Sequence, residues 1–437
     1  MALRKKTKNI SPETEEVLKK ADKAVKKLED SVKKLKKEKK KETSAADKFE
    51  NELDSFLNKT KGIQVAELGG REQAPYYIDS GNYALNWVVS DDFFKWIPGT
   101  KAIRVAGESR MGKSLICDQF LGNNIKLNNG ISFKVEIEDA GGREFTAAIV
   151  GSQEVADKIK IIEPVEDEKG NFKPITIEKL TGFFNKLVQF QIGKKSKAQV
   201  MVVVDSISQI TSDKEFEDVQ KDKDTRDMTV QQKMRAFFRV LTQQQRQANL
   251  TIIGIAHVTA NIGVMFGPKT VINSKGSGFK YASSLDIEVK GNKPIKNKDI
   301  TIGYKMKLTT SKNRMTFKGR SVWIDFYTYG GIDKYSGLCE ILARYGVFKA
   351  SAKPDVNGFF KDSVSFTWKD KKFKENQLES VLKELGEETA LKEIQQELND
   401  RFQALCKREG ITEDMILEDN SENEEIEDEF LEGQLEE

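Results

Sequence analysis

The sequence predicts an α/β protein with a mostly parallel sheet flanked by helices, preceded by a helical N-terminal segment and followed by a small α+β domain. Three observations support this fold class. Apolar strands alternate with amphipathic helices from about residue 100, a glycine-containing loop joins the first of these strands to a helix, and the chain becomes β-rich after residue 281. A length of 437 residues is sufficient for one large core with appended segments.

Hydrophobic periodicity assigns the elements of the core. Predicted strands lie at 101–106, 131–137, 199–204 and 250–256. Predicted helices lie at 113–121, 177–191 and 229–248. The strand at 199–204 is apolar at almost every position, which is typical of a strand covered by helices on both faces. Toward the end of the chain we expect helical structure at 331–348 and 375–409, with a hairpin near 356–368.

The net charge of +3 conceals opposite charges at the two ends of the chain. Residues 1–42 contain sixteen Lys or Arg and eight Asp or Glu, and residues 411–437 contain thirteen Asp or Glu and no Lys or Arg. This asymmetry suggests a polyanionic partner and an acidic tail that competes for the same basic surface. The alternative is that both ends are solvated segments that only aid solubility. Apolar residues recur every three or four positions over 18–35, as in a short amphipathic helix.

Several classes of protein are excluded by composition. The chain is 38% hydrophobic and 32% charged, has no apolar run long enough to cross a bilayer, and begins without the apolar region of a secretory signal. Cys117, Cys339 and Cys406 are widely spaced, which fits a reducing compartment, and the single histidine, His257, excludes a histidine-rich metal site. We therefore expect a cytoplasmic protein with no membrane partner.

A phosphate-binding loop is predicted at 107–114, where GESRMGKS has the spacing G-x-x-x-x-G-K-S. The loop follows a predicted strand and opens a predicted helix, which is the context that this motif requires. Backbone N–H groups of such a loop surround phosphate oxygens, the lysine neutralises phosphate charge and the serine hydroxyl binds Mg²⁺. The motif therefore predicts ATP and Mg²⁺ as ligands. The expected nucleotide-binding residues are Gly107, Glu108, Ser109, Arg110, Met111, Gly112, Lys113, Ser114 and Leu115.

Carboxylates follow two of the predicted strands. Asp205 ends the apolar strand at 199–204, and we expect it to hold Mg²⁺ opposite Ser114, directly or through water. Glu136, Glu138 and Asp139 lie at the end of the second strand, where one of them could orient and deprotonate the attacking water. The residues themselves leave the choice among these three open, and an exposed acidic strand end is the alternative.

His257 and two long loops complete the candidate site. His257 follows the strand at 250–256, at the sheet edge where ligands of open α/β sheets bind, and could sense bound phosphate or be structural. The loops at 211–228 and 258–278 are long for a compact core, and the second combines lysines with Met265 and Phe266. Basic residues beside an exposed apolar pair suit a contact with a nucleic acid backbone and its bases.

Four segments resemble the RecA-type recombinases, and most closely their UvsX-like group from T-even phages. They are RDMTVQQKMRAFFRVLT (226–242), KGSGFKYASSLDIEV (275–289), TTSKNRM (309–315) and YGGIDKYSGL (329–338). The last is the most specific to the UvsX-like group, whereas the phosphate-binding loop alone occurs in many ATPases. The resembling segments are scattered over about 45–350.

The resemblance implies roles for individual residues. Glu138 is the catalytic glutamate of a D-x-E pattern in which Glu136 replaces the usual aspartate, and His257 is the γ-phosphate switch residue that opens the second DNA-binding loop. Lys312 and Arg314 match a basic pair that reaches the neighbouring subunit's ATP and stabilises transition-state charge. The loops at 211–228 and 258–278 match the two DNA-binding loops. The implied DNA-contact candidates are Arg226, Met265, Phe266, Lys269, Lys275 and Lys280.

The resemblance also implies a domain organisation. We expect a Lys-rich helical extension at 1–43, a helix and strand at 44–70 for protomer–protomer docking, a RecA-like P-loop ATPase core at 71–330, a C-terminal domain at 331–410 and an acidic tail at 411–437. Within 44–70, residues 63–66 resemble the docking strand of the family. The tail also has a parallel in the family, where it tempers DNA binding.

The function implied is that of a DNA-dependent ATPase and recombinase that forms a helical filament on single-stranded DNA and pairs it with homologous duplex DNA. Recombination, repair and replication would be its processes, with single-strand-binding and mediator proteins as partners. One alternative is a helicase or loader motor with a RecA core, which would form a discrete ring. Another is a non-enzymatic, nucleotide-gated DNA-binding scaffold built around the basic helix.

Overall fold

The computed structural model describes residues 53, 74–138, 142–166, 170, 172–221, 229–260, 270–273, 278–355, 360–361 and 363–407. Several predictions lie outside these residues. They are the extension at 1–43, the docking segment at 44–70 apart from the exposed helical residue Leu53, the tail at 411–437, and the candidates Asp139, Arg226, Met265, Phe266, Lys269 and Lys275.

The described residues form seventeen strands. They are β1 (Tyr77–Ile78), β2 (Ile97–Pro98), β3 (Ala102–Gly107), β4 (Ile131–Glu136), β5 (Lys160–Ile162), β6 (Val165–Glu166), β7 (Phe172–Lys173), β8 (Val200–Asp205), β9 (Leu250–Ala260), β10 (Thr270–Asn273), β11 (Leu285–Asn297), β12 (Ile300–Asn313), β13 (Ser321–Tyr327), β14 (Gly331–Ile332), β15 (Lys349–Ala350), β16 (Ser365–Trp368) and β17 (Lys371–Lys374).

The same residues form eleven α-helices. They are α1 (Tyr83–Ser90), α2 (Lys113–Asn128), α3 (Arg143–Val150), α4 (Gln153–Lys158), α5 (Ile177–Gly193), α6 (Asp213–Gln220), α7 (Thr229–Gln244), α8 (Gly278–Ala282), α9 (Leu338–Arg344), α10 (Leu378–Glu384) and α11 (Glu387–Cys406). A 3₁₀ turn at Glu375–Gln377 precedes α10. Among the described helices, none combines the length and the apolarity needed to span a bilayer.

A ten-stranded sheet organises the core, with the strand order β14-β13-β12-β11-β3-β9-β8-β4-β5 and with β10 paired to β9. The strands from β11 to β5 are parallel to their neighbours in this order. The pairs from β11 to β14 are antiparallel. The predicted α/β fold, with a mostly parallel sheet flanked by helices, is therefore confirmed.

Two hydrophobic cores cover the two faces of this sheet, and β8 shows how the sequence produces them. Met201 and Val203 belong to one core, whereas Val200, Val202 and Val204 belong to the other. Because successive strand residues point to opposite faces, an all-apolar strand must be covered on both sides. Helices α1, α2, α9 and α11 contribute to the first core, and helices α5 and α7 contribute to the second.

The predicted helix at 331–348 was wrong over most of its length. Residues Gly331 and Ile332 form β14, and only Leu338–Arg344 is helical. Gly337 and Gly346, which flank this helix, have positive φ angles that end the helix on either side, and Gly331 has a positive φ angle in β14. The hairpin expected near 356–368 also lies further along the chain, where β16 pairs with β17.

A shared carboxylate ties α11 to α1 and to the segment after β14. Glu387 Oε1 accepts hydrogen bonds from the Tyr83 hydroxyl at 2.9 Å, the Tyr335 hydroxyl at 2.8 Å and Lys334 Nζ at 2.6 Å. The hydrogen bond from Lys334, supported by those from the two tyrosines, lowers the pKa of Glu387 from 4.5 to about 2. These contacts therefore favour the ionised carboxylate of the folded chain.

We expect Glu387→Gln to lower the free energy of unfolding at pH 7 by about 1 kcal/mol, since the carboxylate is partly exposed and solvent screens its contacts. A pKa that is depressed in the folded state stabilises the fold above the ordinary value of 4.5, and this contribution is lost as the pH falls toward 2. Urea denaturation at several pH values should therefore show the difference from wild type shrinking below pH 4.5. Glu388→Gln, which removes only an exposed pair with Lys392, is the control. A difference that does not change with pH would contradict this account.

Candidate active site

The phosphate-binding loop occupies the turn between β3, which ends at Gly107, and α2, which begins at Lys113. Gly112 has a φ of 84°, a left-handed conformation that glycine adopts without strain. A Cβ atom at Gly107 would lie 2.6 Å from the Val289 carbonyl oxygen, and one at Gly112 would lie 2.5 Å from Met306 Cε. Both glycines therefore allow the loop to pack closely against β11 and β12.

Lys113 lies folded over the loop, where Nζ donates a hydrogen bond to the Glu108 carbonyl oxygen at 2.7 Å. Its side chain is buried, and burial lowers the pKa of Lys113, while the negative charges of Asp205 and Glu138 act in the opposite direction. A partly desolvated ammonium beside a glycine loop interacts more strongly with phosphate than it would in water. This position suits a lysine that neutralises phosphate charge.

Asp205 and Ser114 form the candidate magnesium site. Asp205 ends β8, is 3% exposed, and shares a hydrogen bond with the Ser114 side chain. Burial raises the pKa of Asp205, and the Ser114 contact and the Lys134 charge oppose this effect. Asp205 Oδ2 is buried and has no hydrogen-bond partner among the described residues. A buried carboxylate oxygen of this kind fits Mg²⁺ or a magnesium-bound water, because hard cations prefer oxygen ligands.

Glu138 lies where three parallel strands end. The Ser206 hydroxyl, directly after β8, donates to Glu138 Oε1, and His257 Nε2 in β9 lies 2.7 Å from the same oxygen. The backbone N–H of His257 donates to Ser208 Oγ at 2.9 Å. Burial alone would raise the pKa of Glu138, but the contacts with Ser206 and His257 and the charge of Lys113 hold it below its ordinary value.

A cavity of about 530 Å³ opens beside this carboxylate. It is lined by Ser109, Glu138, Ser208, Gln209, His257, Val258 and Thr259. Glu136 has a different environment, because it is 6% exposed and its Oε1 lies 3.5 Å from Lys134 Nζ, which also pairs with Asp118. Of the two described carboxylates that the sequence left open, Glu138 is therefore the one that borders the cavity.

Lys312 and Arg314 lie apart from this cluster. Lys312 Nζ donates to the Lys280 carbonyl oxygen at 2.6 Å, and Arg314 Nη2 donates to the Tyr281 carbonyl oxygen at 3.2 Å. Lys312 also borders a second cavity, of about 770 Å³, on the β11 side of the phosphate-binding loop. Within one chain, the structure thus brings together Lys113, Ser114, Glu138, Asp205 and His257, while the basic pair contacts the segment that ends α8.

Three residues of this region were not predicted from the sequence as part of the site. Ser206 and Ser208 follow Asp205 in the run DSIS, and polar residues directly after a buried strand at the ligand-binding edge were a usable signal. Lys134 interrupts the apolar strand ISFKVEI, and a buried charge inside a strand indicates a paired partner. Its partner Asp118 lies in α2 and could not be inferred from spacing alone.

A glycine loop at the carboxyl edge of a mostly parallel sheet, with an aspartate at the end of β8, defines a P-loop protein with a RecA-like core. The family model described as RecA N-terminal domain matches residues 186–333. This segment contains Asp205, His257, Lys312 and Arg314, whereas the phosphate-binding loop precedes it. Over these residues, the predicted resemblance to the RecA-type recombinases is confirmed.

Individual relatives agree with this assignment. The recombination and repair protein of Enterobacteria phage T4 is 33% identical over 162 residues, which are 37% of this chain and 39% of the relative. The RecA protein of Bacteroides thetaiotaomicron is 25% identical over 276 residues, which are 63% of this chain and 75% of the relative. The RecA protein of Malacoplasma penetrans is 26% identical over 151 residues, or 45% of its length. The chain thus spans less than half the length of the T4 and Malacoplasma relatives.

We expect Gly107→Ala to destabilise the chain by about 1–3 kcal/mol and to weaken nucleotide binding, because the new Cβ would collide with rigid backbone at Val289. Thermal unfolding and titration with a fluorescent ATP analogue would measure both effects. Gly182→Ala is the matched control, because nothing lies within 4 Å of its Cβ position and alanine is the better helix former. Equal behaviour of the two variants would contradict the packing described for the loop.

Proposed function

We propose that this chain is an ATP-dependent DNA recombinase that polymerises on single-stranded DNA and promotes pairing with homologous duplex DNA. The observation that carries the proposal is the contact between Glu138 and His257, since it joins a candidate catalytic carboxylate to the residue from which the second predicted DNA loop departs. The relatives support the same reading, because their names are those of recombination, repair and RecA proteins.

Mg·ATP would be held by the loop at 107–115, with Lys113 against the phosphates and Ser114 and Asp205 toward Mg²⁺. When bound, the metal ion would neutralise developing phosphate charge. The buried and unpaired Oδ2 of Asp205 supports this assignment. The close packing of Gly107 and Gly112 against β11 and β12 would hold the loop in this position.

Glu138 is suited to orienting and deprotonating the attacking water. Its pKa is held below the ordinary value by Ser206, His257 and Lys113 despite its burial, so it would be ionised at neutral pH. It borders the 530 Å³ cavity together with His257. A change in phosphate occupancy at this cavity would alter the partners of His257, and through β9 would reach the DNA loop at 258–278.

The remaining catalytic charge would come from a neighbouring protomer. Lys312 and Arg314 contact the end of α8 rather than Glu138 or Lys113 of the same chain. In a head-to-tail filament the same two surfaces meet repeatedly, so one subunit's basic pair can complete the next subunit's site. Such a pair would stabilise transition-state charge in the manner of an arginine finger.

We expect single-stranded DNA to increase ATP hydrolysis strongly. We also expect Glu138→Gln to lower kcat by about 10²–10⁴-fold and to retain ATP binding, because the substitution removes only the proton acceptor. Lys113→Ala should lose both binding and turnover. Release of phosphate with and without single-stranded DNA, together with nucleotide titration, measures these effects. Glu136→Gln is the matched carboxylate control, since Glu136 pairs with Lys134 inside the core.

The outcome also separates the alternatives. DNA-stimulated hydrolysis with filaments in electron micrographs supports a recombinase, and strand exchange between homologous DNAs would support it further. Discrete rings with directional unwinding would instead indicate a helicase or loader motor. ATP binding without hydrolysis would favour a nucleotide-gated scaffold.

A further inference from the structure

The short helix α8 begins at the end of the second predicted DNA loop, and its last carbonyl groups have no partners within the helix. Two of these carbonyls are instead bound by the basic pair. Lys312 Nζ donates to the Lys280 oxygen at 2.6 Å, and Arg314 Nη2 donates to the Tyr281 oxygen at 3.2 Å. The two residues proposed to act on a neighbour's nucleotide are thus both bound to consecutive carbonyls of one helix.

Ser283 links the ammonium and the carbonyl in one network. Its hydroxyl donates to the Lys280 carbonyl oxygen at 3.0 Å and lies 3.4 Å from Lys312 Nζ, as an acceptor. Ser283 is fully buried, whereas the contact between Lys312 and the Lys280 carbonyl is exposed. The hydroxyl therefore fixes where the lysine head group lies relative to the helix end.

A buried charge on the adjacent strand acts on the same lysine. Asp286 in β11 is the cross-strand neighbour of Lys312 in β12 and of Arg104 in β3, and it forms an ion pair with Arg104. Burial lowers the pKa of Lys312, with Arg314, Arg104 and Lys280 acting in the same direction, and Asp286 opposes them. Arg314 is fixed further by its own backbone N–H, which donates to the Ser284 carbonyl oxygen at 3.0 Å.

We propose that the end of α8 is a holding site for Lys312 and Arg314, with Ser283 as the positioning residue, and that the two cations leave it when they engage the neighbouring protomer's nucleotide. This inference rests on the proposed function. The α8 carbonyls and a phosphate draw on the N–H donors of the same two head groups, and contacts at α8 hold those head groups in place, so the two interactions compete. By thermodynamic linkage, a shift of α8 driven by DNA binding to the loop before it would favour release of the cations.

A purely structural role makes a different prediction. Cations near a helix C-terminus stabilise it by binding the last carbonyls and by interacting with the helix dipole. If Lys312 and Arg314 only stabilised the end of α8, weakening their contacts would lower the free energy of unfolding. It would also reduce ATP hydrolysis equally with and without DNA. A holding site instead restrains hydrolysis in the absence of DNA, so weakening it should raise that rate selectively.

The holding contact is tested first without reference to catalysis, by hydrogen exchange of the backbone amides at 281–284. Lys312→Met should accelerate their exchange by about two- to tenfold, the range expected for loss of one hydrogen bond. Lys318→Met, which removes an exposed lysine from the turn after β12, should leave their exchange unchanged. Equal exchange in the two variants would overturn the holding site, whatever the chain's activity.

The restraint is tested by ATP hydrolysis of Ser283→Ala, with Ser284→Ala as the matched control. We expect Ser283→Ala to raise DNA-free turnover by about two- to tenfold and to leave DNA-saturated turnover within about twofold, so that stimulation by DNA falls. A parallel loss of both rates, or no change in either, would overturn the inference. Absence of DNA-stimulated hydrolysis in the wild-type chain would instead overturn the proposed function, and the exchange result would still decide whether the contact exists.

Discussion

The carboxylate of Glu138 is the point at which the ends of three parallel strands meet. It follows β4, accepts from Ser206 directly after β8, and lies 2.7 Å from His257 in β9. These strands are neighbours only because the sheet order is β3-β9-β8-β4, which places residues far apart in sequence at one edge. The phosphate-binding loop lies at the same edge, after β3. The geometry of the site therefore depends on the register of the parallel strands.

The parts of this arrangement that follow from local sequence were accessible to prediction. Strand β8 is apolar at every position before Asp205, so its burial on both faces and its polar end could be inferred directly. The glycine loop likewise carries its own conformational requirement at Gly112. Contacts between distant segments were not accessible in this way. The pairing of Lys134 with Asp118, and of Lys312 with the Lys280 carbonyl, depends on which strands become neighbours.

The error at 331–348 has a related physical cause. Its apolar spacing resembles a helix, but Gly331, Gly337 and Gly346 adopt positive φ angles where the chain pairs with β13, enters α9 and leaves it. Tertiary contacts decided those conformations: a Cβ atom at Gly337 would lie 2.3 Å from the Trp323 carbonyl oxygen. Glycines inside a periodic apolar segment were therefore the better guide to the fold than the period itself.

In the proposed function, one chain supplies two halves of a site, with Glu138 and Asp205 in one half and Lys312 and Arg314, at the end of α8, in the other. The most direct test of this division mixes two inactive chains, one carrying Glu138→Gln and the other carrying both Lys312→Ala and Arg314→Ala, on single-stranded DNA. If the halves act across an interface, about one interface in four of an equal random mixture has both halves intact, and hydrolysis should recover to roughly that fraction. Hydrolysis no greater than the sum of the separate variants would contradict the account.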